Sequence, residues 1–174
     1  MGRRITLVLL GFLSISGIAA CGDDTSDSPT ASTTAAKALF DPCTGIPDDA
    51  LRAAGVDPAT KKPGIAGVHQ SGWEICGWRG PKYFITVYST GRTVSEVESK
   101  PGNVEFKDVA VAGRQGRQFR VEGAAKDLEC DVVFPASQGV LQLSISNRAG
   151  QDDLEEPCTV LHRVGESIVP VLPR

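Results

Sequence analysis

The stretch Val140-Leu141-Gln142-Leu143-Ser144-Ile145-Ser146 alternates apolar and polar residues. Successive side chains of a β-strand point to opposite faces of a sheet, so this pattern places Leu141, Leu143 and Ile145 on one face. Antiparallel sheets commonly have one buried face and one face in contact with water. The stretch therefore predicts an antiparallel sheet whose apolar face must be covered by another element.

Other strands are predicted on the amino-terminal side of this stretch. They are rich in β-branched or aromatic residues and are bounded by Gly, Pro, Asn or Ser. The segments are 73–78, 83–88, 104–111, 117–122 and 128–134. We predict a sheet of about five to six strands, the last four of which form an antiparallel meander.

A C-terminal helix is predicted to cover the apolar face. Cys158, Leu161 and Ile168 recur at near-helical spacing, and acidic residues cluster in 152–156, where the positive end of a helix would lie. We expect this helix to end near Pro170.

Two shorter helices complete the predicted fold. Segment 47–55 begins with Pro-Asp-Asp and ends in Gly, as helices often do, and a second small helix is expected within 93–99. The fold class is therefore α+β, with a short N-terminal helix, in a single domain over residues 39–174.

The N-terminus has the features of an export signal. Arg3 and Arg4 precede an apolar segment, 5–20, which is shorter than the roughly 20 residues that a membrane-spanning helix needs. Ile18-Ala19-Ala20-Cys21 resembles the lipidation box of bacterial lipoproteins. We predict a lipoprotein signal peptide over 1–20 and a lipid anchor, such as a palmitate-bearing diacylglycerol, on Cys21. Plain secretion and an uncleaved membrane helix remain the alternatives.

Residues 21–38 form the next predicted segment. It is rich in Ser and Thr and contains almost no large hydrophobic side chain, so we expect a disordered tether. The whole chain has a formal net charge of −3 and lacks the basic surface that nucleic-acid binding usually requires. We therefore expect no nucleic-acid partner.

Four of the five cysteines remain when Cys21 is set aside: Cys43, Cys76, Cys130 and Cys158. An even number fits an exported protein with two disulfides. Four cysteines allow three pairings, and we favour Cys43–Cys76 with Cys130–Cys158 because these close the shortest loops. A zinc site made by all four is the alternative, but no Cys-x-x-Cys motif supplies closely spaced ligands.

Together, several short motifs carry a family resemblance. The order Asp41-Pro42-Cys43, a short helix, Cys76-Gly77-Trp78, Cys130 on a strand and Cys158 at a terminal helix resembles the uncharacterised domain of small actinobacterial cell-envelope lipoproteins. The resemblance implies an exported α+β lipoprotein domain with two bridges, and it brings no catalytic residue. Pro47 departs from the Ser or Thr that often caps the first helix of such domains.

No recognisable catalytic, cofactor or metal site is present. His69 and His162 lie outside any Gly-x-Ser-x-Gly context, and we expect His69 in a solvated loop and His162 as a surface or boundary residue of the terminal helix. The glycine-rich segment 113–117 lacks the ending of a phosphate-binding loop and precedes a strand, so it predicts a hairpin turn. The acidic run 152–156 lacks the spacing of a calcium-binding loop.

Basic residues around the predicted turn have two interpretations. They form a solvated strand face, which we favour, or a positive patch for anionic lipid or wall polymer. The residues are Lys107, Arg114, Arg117 and Arg120.

Aromatic residues concentrate in one short region and also have two interpretations. They fill the core around the Cys76 bridge, which we favour, or they line a groove between sheet and helix for a lipid, a glycan or an envelope protein. The candidate groove residues are Trp73, Trp78, Tyr83 and Tyr88.

These features predict a monomeric lipoprotein on the extracytoplasmic face of the cell membrane. We expect it to bind an envelope partner or a small amphiphile without catalysis and without a cofactor. One alternative is a wall-directed hydrolase that uses Asp131 or Glu129, which requires two acids in one cleft. The other is a purely structural envelope component.

Overall fold

The computed structural model describes residues 37–123 and 125–174. The predicted signal peptide, Cys21 and nearly all of the predicted tether lie outside these residues, so they remain predictions. Within the described part of the chain, no helix has the length and apolar character needed to cross a membrane.

The described residues form one seven-stranded antiparallel sheet with the strand order β1-β2-β3-β7-β6-β5-β4. The predicted meander is present as β4 to β7, and a smaller meander, β1 to β3, joins it where β3 pairs with β7. The strands are β1 Asp57–Pro63, β2 Trp73–Arg79, β3 Tyr83–Thr90, β4 Asn103–Val111, β5 Arg114–Val121, β6 Glu129–Ala136 and β7 Gly139–Asn147.

The sheet has seven strands, which is more than the predicted five to six and one more than the six predicted segments. The missed strand is β1, whose sequence Asp-Pro-Ala-Thr-Lys-Lys-Pro has no apolar alternation and is mostly exposed. It lies at one edge of the sheet, where lysine and proline are tolerated and discourage pairing with other chains. An edge strand of this kind lacks the hydrophobic signal that identified the other six.

The helices are short except for the last. They are α1 Pro42–Gly45, α2 Asp48–Ala53, α3 Val94–Glu98 and α4 Pro157–Ile168, followed by a 3₁₀ turn, Val169–Val171. Thr93 and Glu96 form a reciprocal capping box at the start of α3. Pro47 precedes α2 without any side-chain cap, and α4 ends shortly before Pro170.

Helix α4 packs across the apolar face of the sheet, which we call the helix-covered face. Leu141, Leu143 and Ile145 of β7 are fully buried there, together with Leu161 and Ile168 of α4. Glu156 caps α4, because its carboxylate accepts a hydrogen bond from the Thr159 amide at 2.7 Å. The side chains between the sheet and α4 form the main buried core of the described residues.

Two disulfides attach helical segments to this face. Cys43–Cys76 joins α1 to β2, and Cys130–Cys158 joins β6 to α4. This is the pairing that the loop lengths favour. A zinc site made by the four cysteines is excluded by this pairing, since no free thiolate is left among them.

The opposite side of the sheet, which we call the open face, is only partly covered. At one end α3 contributes Val97 to a small cluster with Phe119, Val133 and Val140. The remainder of the open face is a concave surface across β2, β3, β7 and β6. This surface is the candidate site.

Candidate functional site

The open-face groove is a depression of about 450 Å³ across the middle of the open face. This volume lies within the range of about 300 to 1,000 Å³ that is usual for small-molecule sites. The loop between β1 and β2 forms one wall, and the strands form the floor. The principal lining residues are Ile65, Trp73, Ile75, Thr86, Tyr88, Lys100, Glu129, Asp131, Gln142, Ser144 and Ser146.

Strand register arranges the floor in rows. Ser144 of β7 lies between Thr86 of β3 and Asp131 of β6, because it pairs with both. Ser146 pairs in the same way with Glu129 of β6. The alternation that buries the leucines of β7 therefore presents hydroxyl and amide groups to the groove, and β6 adds the carboxyl groups of Glu129 and Asp131.

An aromatic pair forms the wall of the groove beside β2 and β3. The rings of Trp73 and Tyr88 meet edge to face, with centroids 6.2 Å apart and an interplanar angle of 81°. The Arg92 guanidinium carbon lies 6.0 Å from the Trp73 ring centroid. Two of the four aromatic residues predicted for a groove are therefore together at this site.

The other two aromatic residues are not part of the groove. Trp78 is 2% exposed and Tyr83 is 7% exposed, and both belong to the core of the helix-covered face. The Tyr83 hydroxyl donates a hydrogen bond to the Ala54 carbonyl at 2.8 Å. Strand alternation separates the two pairs, so Trp78 and Tyr83 lie in the core and do not line the open-face groove.

Asp131 is the most unusual ionisable group at the site. It is 2% exposed, and the Gln142 amide donates a hydrogen bond to its carboxylate at 2.8 Å. Burial raises the pKa of Asp131 to about 6, although hydrogen bonds from Ser144 and Gln142 act in the opposite direction. The carboxyl is mostly ionised only above this pKa.

Glu129 lies two residues away on the same face of β6. Its carboxylate accepts a hydrogen bond from the Ser146 hydroxyl at 3.2 Å. Burial, followed by the charges of Asp131 and Glu129, raises the pKa of Tyr88 to about 12, so its phenol stays protonated. The groove thus places two acids beside a neutral aromatic donor.

The two histidines lie elsewhere. His69 is exposed on the loop between β1 and β2. His162 is half-buried on α4, and its Nε2 lies 2.9 Å from the Gln118 side-chain oxygen. Neither histidine lines the groove beside the two acids.

The basic residues around the β4–β5 turn do not form a free positive patch. Arg117 pairs with Glu98 and Asp108, and Arg120 pairs with Glu156 and Glu105.

The solvated strand face that we favoured for the basic residues does not include Arg114. It is buried, and it donates a hydrogen bond to the Pro135 carbonyl at 2.8 Å. Lys107 is exposed.

The acidic run before α4 serves the helix and its neighbours. Glu156 is the cap, and Glu155 pairs with Arg163. Among residues 37–123 and 125–174, no group of His, Cys, Asp and Glu has the geometry to hold a metal ion.

The sequence could have identified the groove floor more fully. The sequence patterns predicted Asp131 and Glu129 only as acids of a hydrolase, and Gln142 and Ser144 only as part of the polar face of the sheet. A signal was available, because the polar residues of β7 share one face of the strand. Glu129 and Asp131 are two residues apart and therefore share one face of β6. The strand order that brings Trp73 and Tyr88 to the same place carries no local signal.

Comparison with known proteins gives one finding. No curated protein and no solved structure matches the chain. Residues 16–171 match the model of a family described as "Protein of unknown function (DUF3558)". This match confirms the predicted membership in a family of unknown function, and since it spans most of the sequence, the chain belongs to the DUF3558 family.

Proposed function

We propose that the chain is a cell-envelope lipoprotein, anchored through a lipid on Cys21, whose folded domain binds a small amphiphile in the open-face groove. The anchor is supported by the box Ile18-Ala19-Ala20-Cys21 behind a basic and apolar leader. The two disulfides fit the oxidising side of the membrane. The actinobacterial origin belongs to the same proposal and is supported only by the resemblance of its motifs.

The observation that carries the binding proposal is the contrast between the two faces of the sheet. The helix-covered face is closed by α4 and two disulfides. The open face has a groove of about 450 Å³ with the Trp73–Tyr88 pair at its wall and polar groups at its floor. Aromatic side chains beside convergent polar groups are typical of ligand sites.

The polar floor favours the head of an amphiphile over its tail. Thr86, Gln142 and Ser144 would leave hydrogen-bonding groups unpaired beneath an alkyl chain, which is unfavourable. The polar part of the ligand should therefore lie across these strands.

A groove-filling variant tests the proposal. Thr86→Trp places a large side chain on the groove floor, and Gln115→Trp places the same side chain at an exposed position of β5 outside the groove. The wild type and both variants are isolated from membranes of the native host in mild detergent and studied by native mass spectrometry. The wild type and Gln115→Trp should carry a small molecule that Thr86→Trp lacks.

Intact-mass measurement on the same samples tests the anchor. Acylation at Cys21 should add lipid mass and remove residues 1–20. An unacylated chain would refute the anchor. A ligand-free wild type, or equal occupancy in all three proteins, would refute the groove as the binding site.

A hydrolase is the second candidate, and one observation favours it. Glu129 and Asp131 both line the open-face groove, and burial raises the pKa of Asp131 to about 6, a value suited to a general acid. This candidate predicts turnover of wall glycans that Glu129→Gln abolishes. Stoichiometric binding without turnover would eliminate the hydrolase.

A purely structural role is disfavoured because such a role gives no reason for the groove.

A further inference from the structure

The two acids of the open-face groove have no cationic partner among the described residues, and one of them, Asp131, is also buried. Among the described residues, ion pairs engage acids such as Glu98 and Asp108 with Arg117, but none includes Glu129 or Asp131. Asp131 is also the carboxylate that the described fold buries most completely, at 2% exposure. A buried charge without a counter-ion is unfavourable, and functional sites are where such charges are concentrated.

The surrounding charges do not neutralise this pair. Lys100 lines the same groove and favours the ionised form of Asp131, but it is exposed and lies beyond ion-pair distance of both acids. Hydrogen bonds come instead from neutral donors, Gln142 to Asp131 and Ser146 to Glu129. No direct ion pair among the described residues therefore offsets the charges of Glu129 and Asp131.

The aromatic wall of the groove is suited to a positively charged ligand group. The faces of aromatic rings attract cations, and the attraction grows where water is excluded. Tyr88 is close enough to both acids for their charges to act on its phenol. Trp73 already attracts a cation of the protein itself, since the Arg92 guanidinium carbon lies 6.0 Å from its ring centroid.

We propose that the open-face groove recognises an ammonium group at the polar end of a small amphiphile, through Glu129, Asp131 and the ring of Tyr88. Glu129 is the carboxylate that the ligand contacts, and Asp131 acts through space from the groove floor. The inference rests on the proposed function, because it names the chemistry of the ligand at that same site. A neutral polar ligand could accept the hydrogen bonds of the floor, but it would leave both charges uncompensated.

The test compares two probes of nearly equal shape and different charge. Choline carries a quaternary ammonium, and its neutral counterpart is the alcohol in which carbon replaces the nitrogen. Each is titrated into isotope-labelled purified protein while the amide resonances of β3, β6 and β7 are followed by NMR. Choline should shift the resonances of groove residues, and the alcohol should bind at least about tenfold more weakly.

Variants assign the effect to the two acids. Glu129→Gln and Asp131→Asn keep side-chain shape and should each weaken choline binding about tenfold while leaving the alcohol unchanged. Asp49→Asn removes an exposed charge on α2 and should bind choline like the wild type. An unchanged choline affinity in Glu129→Gln and Asp131→Asn would overturn the inference.

The remaining outcomes separate this inference from the proposed function. Equal binding of both probes in the groove would refute charge recognition and leave the groove as a binding site. Binding of neither probe would refute the ammonium ligand, while the Thr86→Trp comparison on membrane-derived protein would still decide whether the groove is occupied. Shifts confined to residues outside the groove would refute the ammonium site.

Discussion

Asp131→Asn should make the protein more stable at alkaline pH and leave it nearly unchanged at acid pH. The carboxyl has an ordinary pKa of 3.8 and a folded-state pKa of about 6 because it is buried. A raised pKa means that folding favours the protonated form. The protonated Asp131 carboxyl contributes its full stability to the fold below pH 3.8, its ordinary pKa. This contribution is lost as the pH rises through about 6, its folded-state pKa.

The magnitude follows from these two values. Their difference corresponds to a loss of about 3 kcal/mol of unfolding free energy between acid and alkaline pH. Asparagine cannot ionise, and its side-chain oxygen can still accept the Gln142 hydrogen bond. We therefore expect Asp131→Asn to exceed the wild type by up to about 3 kcal/mol near pH 8 and by little near pH 4.

The assay is urea unfolding with the disulfides intact, followed by tryptophan fluorescence near both pH values. Asp49→Asn is the matched control, because Asp49 is exposed on α2 and its replacement should change stability little. A loss of stability in Asp131→Asn that is equal at both pH values would refute the reasoning. It would mean that the Asp131 carboxylate stabilises the fold instead of opposing it.

Three further predictions concern the scaffold that holds the site. Replacing Cys130 and Cys158 together by Ala should lower the unfolding free energy by about 3 to 4 kcal/mol in urea unfolding, since the bridge closes a loop of 28 residues between sheet and α4; a negligible loss would contradict this. Gly165→Ala should destabilise by about 1 to 3 kcal/mol because the new Cβ meets Val111, whereas a gain in thermal stability would show that helix propensity dominates. Thr93→Ala removes the capping box of α3 and should cost about 1 kcal/mol, measured as faster amide exchange in α3, and unchanged exchange would contradict the assigned cap.

Much of the fold follows from local patterns in the sequence. The alternation along β7 predicts a sheet with one buried and one wet face, and the structure has both. The spacing of Cys158, Leu161 and Ile168 predicts the helix that covers the buried face. Strand β1 could not be predicted in this way, because a polar edge strand depends on its neighbour and not on its own side chains.

The site was only half predictable, and the reason is the pairing of distant strands. Trp73 and Trp78 look equivalent along the chain, but their odd separation on β2 sends one to the groove and the other to the core. The row that joins Thr86, Ser144 and Asp131 exists only because β7 lies between β3 and β6. The strand order β3-β7-β6 is set by the global topology, and no local pattern in any of the three segments predicts it.

The central prediction is that the open-face groove holds a ligand in the cell envelope. The most direct measurement is a crystal structure of the protein extracted from its native membrane. We predict electron density for a small molecule against the Tyr88 ring, with its charged end toward Glu129 and Asp131. A groove that holds only solvent, with a ligand bound on another surface, would contradict the claim.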